Sequence, residues 1–172
     1  LDWSKLGGGS ITGALRFQNE DLAVARDRLG QLVGAVAGTL NRQQTFGLDL
    51  AGQTGTAVLQ MDAPRALPAA DNATSGGAYV ASVSMTIADP NALQASEYVL
   101  ANDAANPGMY TVTRRSDGKV TSNLASGSTI DGFTFSVDSP LAAGDTFLLQ
   151  PVATAAGSVR LWISRARPST TR

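Results

Sequence analysis

The side chains best suited to chemistry are few in this chain, and their spacing is poor. Its 172 residues include no histidine and no cysteine. Ser-His-Asp and Cys-His nucleophilic arrangements are therefore excluded, as are imidazole and thiolate ligands for zinc or copper. Ser4 and Lys5 form a nominal serine–lysine pair, but they sit in the glycine-rich lead LDWSKLGGGS, which reads as a flexible connection. Glu20 and Asp21 are adjacent, and adjacent helical residues diverge instead of facing one substrate. They read as first-turn charge, which the helix dipole favours. Asp49 to Gly55 (DLAGQTG) hints at an oxygen-ligand loop. It lacks the alternating Asp/Asn ligands and closing Glu of an EF-hand, and reads as a turn. Gly7-Gly8-Gly9-Ser10 precedes a helix as a phosphate loop does, with no lysine at the required spacing. Tyr98 and Trp162 are potential carbohydrate platforms, yet they lie in runs of period two, where aromatics are packing residues. Arg160, Arg165, Arg167 and Arg172 make the C-terminal end basic without the interleaved aromatics of a nucleic-acid surface. No catalytic, cofactor-binding or metal-ligating residue is assigned. The expectation is a protein that is not an enzyme and needs no cofactor.

The composition points the same way. A net charge of −1 gives no reason to propose nucleic acid or an anionic membrane as partner. No stretch approaches 18 consecutive apolar residues, so no membrane span is expected. The lead lacks the basic and apolar regions of a signal peptide. Hydrophobic content of 43% is ordinary for a folded domain, and aromatics are only 6%. Abundant Ala, Gly, Ser and Thr beside few aromatics suits bacterial surface and appendage proteins.

The strongest pattern is helical. Leu15, Leu22, Leu29 and Val36 recur every seven residues, Ala25 and Leu32 add a second row, and Val33 and Leu40 widen the stripe. This is a coiled-coil-like apolar seam on a helix predicted from Asn19 to Gln44. It would span about 39 Å. Asn19 is the predicted cap, with a break or kink near Gln18 and termination at Gly47. Gly30, Gly34 and Gly38, four apart on one face, suggest the close approach of another helix. The sequence holds no second helix of comparable length to cover the seam. The helix is therefore expected to pack little against the rest of the chain and to belong to a larger helical structure.

From about residue 56 the period becomes two. Residues 79–87, 97–100, 109–113, 133–137, 147–149 and 159–163 read as strands. Turn signals separate them at Asp89-Pro90-Asn91, Asn106-Pro107-Gly108, Asp117-Gly118, Asp131-Gly132 and Ala143-Gly144-Asp145. Residues 69–77 (AADNATSGG) read as a mobile loop. The predicted fold class is α+β: a long amphipathic helix, then an antiparallel β-rich part folded as a small sandwich or partial barrel. The expected division is a helical rod segment at 1–50 and a β-rich outer domain at 51–172.

The run from Gly13 to Gly52 resembles the flagellar hook-associated protein 1 family. The residues that carry the likeness are Gly13, Leu15, Phe17, Asp21, Leu22, Arg26, Leu29, Gly30 and Leu32, followed by Asn41, Gln43, Gly47, Asp49 and Gly52. It continues in Ala95–Tyr98, Tyr110–Arg114 and Ala143–Pro151, and covers most of the chain from Ser10 to Ile163. One departure is Gln44, where the family usually carries histidine. The terminal helices of the full-length family are also absent. The resemblance implies a structural junction protein between bacterial hook and filament, without catalytic turnover. It implies export through the flagellar apparatus without a cleaved signal, and an extracellular location. The implied partners are other copies of the parent, the hook protein and the second hook-associated protein. The helix-packing seam would be Leu15, Leu22, Ala25, Leu29, Leu32, Val36 and Leu40. The alternative is an extracellular β-sandwich binding module, an adhesin or carbohydrate-binding domain, on a helical stalk. The seam and the Asn41–Gly52 motif favour the junction protein, because a sandwich alone needs neither.

Overall fold

A computed structural model describes residues 8–48 and 52–162. The Ser4–Lys5 pair, residues 49–51 of the Asp49–Gly55 turn, Ile163 and the last three C-terminal arginines lie outside the described residues. The helical part is α1 (Ser10–Arg16), a π-helical turn (Phe17–Asp21) and α2 (Leu22–Thr45). The three run on as one helix, since Arg16, Asp21 and Leu22 all have right-handed helical φ and ψ. Asn19 therefore lies inside the helix and is not its cap. The irregularity expected near Gln18 is the π turn, an inserted residue without a chain break.

Helix α2 ends at Thr45, two residues before the glycine signal at Gly47. Phe46 keeps helical angles, its N–H bonds to Gln43 O and the Gly47 N–H bonds to Gln44 O. Gly47 is absent from the left-handed glycines, so the stop is not a left-handed cap. The chain instead folds back through Gly55, whose N–H reaches Gly47 O at 2.9 Å. A side chain at Gly55 would meet the Gln44 carbonyl oxygen.

The β part holds two antiparallel sheets around one core. The larger has the order β2 (Arg65–Pro68), β11 (Thr146–Gln150), β6 (Tyr98–Asn102), β7 (Tyr110–Arg114) and β8 (Val120–Leu124). The smaller runs β5 (Val83–Ile87), β10 (Phe133–Val137) and β9 (Thr129–Ile130). Alternation decides which side chains enter the core. Tyr98 and Leu100, Tyr110 and Val112, and Phe147 and Leu149 come from the large sheet; Phe133, Phe135 and Met85 come from the small one. Two edge-to-face ring pairs tie the sheets together: Tyr98 with Phe133 at 4.9 Å and Tyr110 with Phe135 at 6.1 Å. The architecture is the small sandwich of the predicted α+β class.

Two short ribbons complete the fold. β3 (Thr74–Ser75) pairs with β4 (Ala78–Tyr79), and β1 (Leu59–Gln60) pairs with β12 (Arg160–Leu161). A short α3 (Ala155–Ser158) precedes β12. Residues 79–87 are thus not one strand: they are divided between β4 and β5. The stretch 69–77 is pinned, not loose. Asn72 is buried and exchanges two bonds with the Thr146 backbone, at 2.8 and 2.9 Å. The predicted Asp131-Gly132 turn joins β9 to β10, with φ of 43° and 84° at its two residues. Positive φ at both central positions is the type I′ geometry that matches sheet twist.

Candidate functional site

The candidate surface is α2, whose two faces meet different surroundings. Asp27, Gly30, Gly34 and Ala37 are the buried residues of the helix. They recur at three- and four-residue intervals and so form one face. That face lies on the β part, which corrects the expectation of a helix nearly free of it. The glycines admit loops of the β part, not a second long helix. A Cβ at Gly30 would strike the Val152 carbonyl, one at Gly38 would strike the Pro90 ring, and Gly34 faces Leu93. The space left in this joint is only about 30 Å³, room for roughly one water.

Directional bonds fix the register of the joint. Gln31 Nε2 donates to the Leu93 carbonyl. Asn41 Oδ1 accepts from the N–H groups of Val58 and Leu59, both at 2.9 Å, while its Nδ2 donates to Leu59 O at 2.7 Å. Asn41 thereby supplies β1 with what a neighbouring strand would supply. This gives a physical reason for asparagine in the Asn-x-Gln segment: both a donor and an acceptor are required.

The opposite face remains open. Leu22, Leu29, Leu32, Val36 and Leu40 are 40–61% exposed, Ala25 is exposed and Leu15 is half-buried. Phe17 and Ile11 continue the apolar surface toward the N-terminal end, at 59% and 73% exposure. Beside Leu22 and Leu29 an open groove separates the helix from Thr154 and Ser158. Large contiguous apolar patches are uncommon on folded monomers, so this exposed row stands out.

The remaining motif residues hold the β part together. Arg114 pairs with Asp117 and donates to Asp131 Oδ2 at 2.9 Å, and the Tyr98 hydroxyl donates to that same oxygen at 2.8 Å. Arg114 holds the Asp117 carboxyl far below the usual carboxylate range. Burial and the bond to Asp131 push the Tyr98 phenol up. Tyr98 is a core residue, not a carbohydrate platform, whereas Trp162 is 50% exposed. Asp145 is buried and accepts from Ala73 N and Ala142 N, at 2.8 and 3.0 Å. Arg160 pairs with Asp62 at 3.0 Å. Glu20 pairs with Arg16, four residues earlier. Among the described residues no group of three His, Cys, Asp or Glu is placed to hold a metal, and no helix is long and apolar enough to cross a membrane.

Asp27 escaped the sequence reading. It is 6% exposed, and its carboxylate makes no hydrogen bond or ion pair among the described residues. Burial, reinforced by the nearby Glu97 charge, pushes its pKa up to about 6. An aspartate on the glycine face, three residues before Gly30, was the available signal.

Fold and surface together define the class: an α+β structural segment in which a long helix carries a two-sheet β part and keeps one apolar face uncovered. Residues 2–59 match the family described as flagellar hook-associated protein FlgK helical domain. Residues 70–151 match flagellar hook-associated protein 1, D2-like domain. The chain is 30% identical over 155 residues to flagellar hook-associated protein 1 of Salmonella typhimurium and, to the same extent, to that of Escherichia coli. Those alignments cover 86% of this chain and 26% of each relative. The solved flagellar hook junction protein FlgK of Burkholderia pseudomallei superposes with a TM-score of 0.76 at 29% identity, over 91% of this chain and 28% of that one. The chain belongs to the flagellar hook-associated protein 1 family, and it spans about a quarter of the length of these relatives.

Proposed function

We propose that this chain is a structural segment of the junction between flagellar hook and filament, acting as an adaptor by self-assembly and without catalytic turnover. The observation that carries the proposal is the division of α2. Its glycine face is filled by the chain's own β part, while the seam Leu22–Leu29–Leu32–Val36–Leu40 is left to other protein. In this reading residues 1–50 are a segment of a helical rod and residues 51–172 a β domain on its outer surface. The seam, from Leu15 through Ala25 to Leu40, packs with further helices of the parent and with neighbouring subunits. The hook protein and the second hook-associated protein are the partners on either side. The parent leaves the cell without a cleaved signal and works outside it, with no cofactor.

Deleting the parent gene tests the assignment. Hooks should persist, stable filaments should be missing and flagellin should appear in the medium. Normal filaments and motility in that strain would overturn the proposal and favour an adhesin-type binding module.

A further inference from the structure

The buried Asp27 has no place in an adaptor reading built on apolar packing. It lies where α2 meets the segment leading into β6, in a recess lined by Glu20, Ser96, Glu97 and Arg115. The charged groups around it come from each element of that contact. From the β part, Glu97 faces it, but both Glu97 oxygens are engaged, one by Arg115 at 2.7 Å and the other by Gln150 at 2.6 Å. Arg115 is held by that bond and is 57% exposed. The Ser96 hydroxyl donates to Glu97 O and accepts from Ser116 N, so it too is in use. On the helical side Glu20 is paired with Arg16, and the Arg26 side chain is exposed. An ionised Asp27 is therefore a charge in a largely buried side chain, beside a like charge and without a protein donor, its oxygens reaching water through the recess.

We infer that the joint between α2 and the β part is a proton-sensitive clasp: it tightens when the Asp27 carboxyl is protonated and loosens when that carboxyl ionises. Protonation removes the repulsion from Glu97 and the desolvation of a charge together. The sign follows from a folded-state pKa of about 6 against the ordinary aspartate value of 3.8. The stabilising contribution of the bound proton is complete below about pH 4 and is lost as pH rises through about 6. Near neutrality the joint holds a buried charge that weakens it, while the two sheets of the sandwich are untouched. Mild acid thus stiffens the attachment of the β part to the helix.

The test uses this 172-residue chain and the variants Asp27→Asn and Glu97→Gln. Asparagine is the uncharged mimic of the protonated acid. Native-state hydrogen exchange at the Gly30–Gly38 amides, taken relative to Asp27→Asn at each pH, reads opening of the joint. Opening of the wild-type chain should rise about tenfold from pH 5 to pH 8 in that ratio. A ratio that does not change with pH overturns the inference. A carboxyl-carbon titration of Asp27 by NMR gives a second readout that does not depend on the stability of any variant. A midpoint near pH 6, moving down in Glu97→Gln, is expected, and a midpoint below pH 4.5 overturns it. Neither measurement depends on the flagellar assignment, so the two proposals fail separately.

Discussion

The two faces of α2 invert the usual relation between apolar character and intramolecular contact. The docked face is Asp27, Gly30, Gly34, Ala37 and Asn41; the open face is Leu22, Leu29, Leu32, Val36 and Leu40. Per residue the open face carries far more apolar surface, yet the chain buries the poorer one. The difference teaches that this joint is made by backbone proximity and directional bonds. Loops carrying Pro90, Leu93 and Val152 reach the helix because glycine leaves room for them, and Asn41 then fixes where β1 begins. The larger apolar side chains are the ones left exposed.

The largest effect should come from filling the docked face. Gly30→Ala places a methyl group against the Val152 carbonyl, a backbone atom with little freedom to yield. The gain in helix propensity of about 1 kcal/mol does not offset it. A net loss of roughly 2–3 kcal/mol is expected from overpacking, read as a lower urea midpoint. An unchanged or raised midpoint would mean that the joint is looser than the contact between Gly30 and the Val152 carbonyl implies. Asn41→Ala should follow, at about 2 kcal/mol, because it strands the N–H groups of Val58 and Leu59 and the Leu59 carbonyl. Exchange of those amides should quicken while amides of β6 and β11 stay protected; equal acceleration everywhere would place Asn41 in the global core instead.

The smallest effect in this chain should come from the open face. Leu29 is 53% exposed, so Leu29→Ala should change stability by no more than about 0.5 kcal/mol. In the full parent the same substitution should weaken helix docking by roughly 2–5 kcal/mol if the seam is covered there. Comparing melting temperatures of the two proteins is decisive: equal losses would show that Leu29 finds its partners inside this 172-residue chain, and the contrast between the faces would collapse.

The contrast also explains what was readable in the residue order. The helix, and strands β6, β7, β10 and β11, were legible because large apolar residues repeat at 3.6 or at two, with Gly, Pro, Asn and Asp between them. The seam was legible for the same reason. On the docked face the row of glycines was legible as a place of close approach, but its partner was not, because the loops carrying Pro90, Leu93 and Val152 are distant in sequence, and Asp27 was not singled out because it resembles a solvated surface residue until its neighbours are known. Edge strand β8 was missed since Val120–Leu124 (VTSNL) points little into the core and is bulged against β7, with Asn123 at a φ of 58°. The pinned 69–77 stretch was missed because its hold comes from Asp145 and Thr146, more than 70 positions away.

The β1–β12 ribbon has a mechanical meaning. The path into the sandwich passes Leu59–Gln60 and the path out passes Arg160–Leu161, side by side, with Trp162 N on Val58 O at 2.7 Å and Asn41 anchoring the same stretch to α2. Tension along a rod built from such chains would run from helix to ribbon and onward. The hundred or so residues between the two strands, from Met61 to Val159, would lie beside that line, touching the helix through Pro90, Leu93 and Val152, and would bear little of the load. Loops of this stretch that stand clear of α2 could then lengthen, shorten or change charge without altering how the rod carries force.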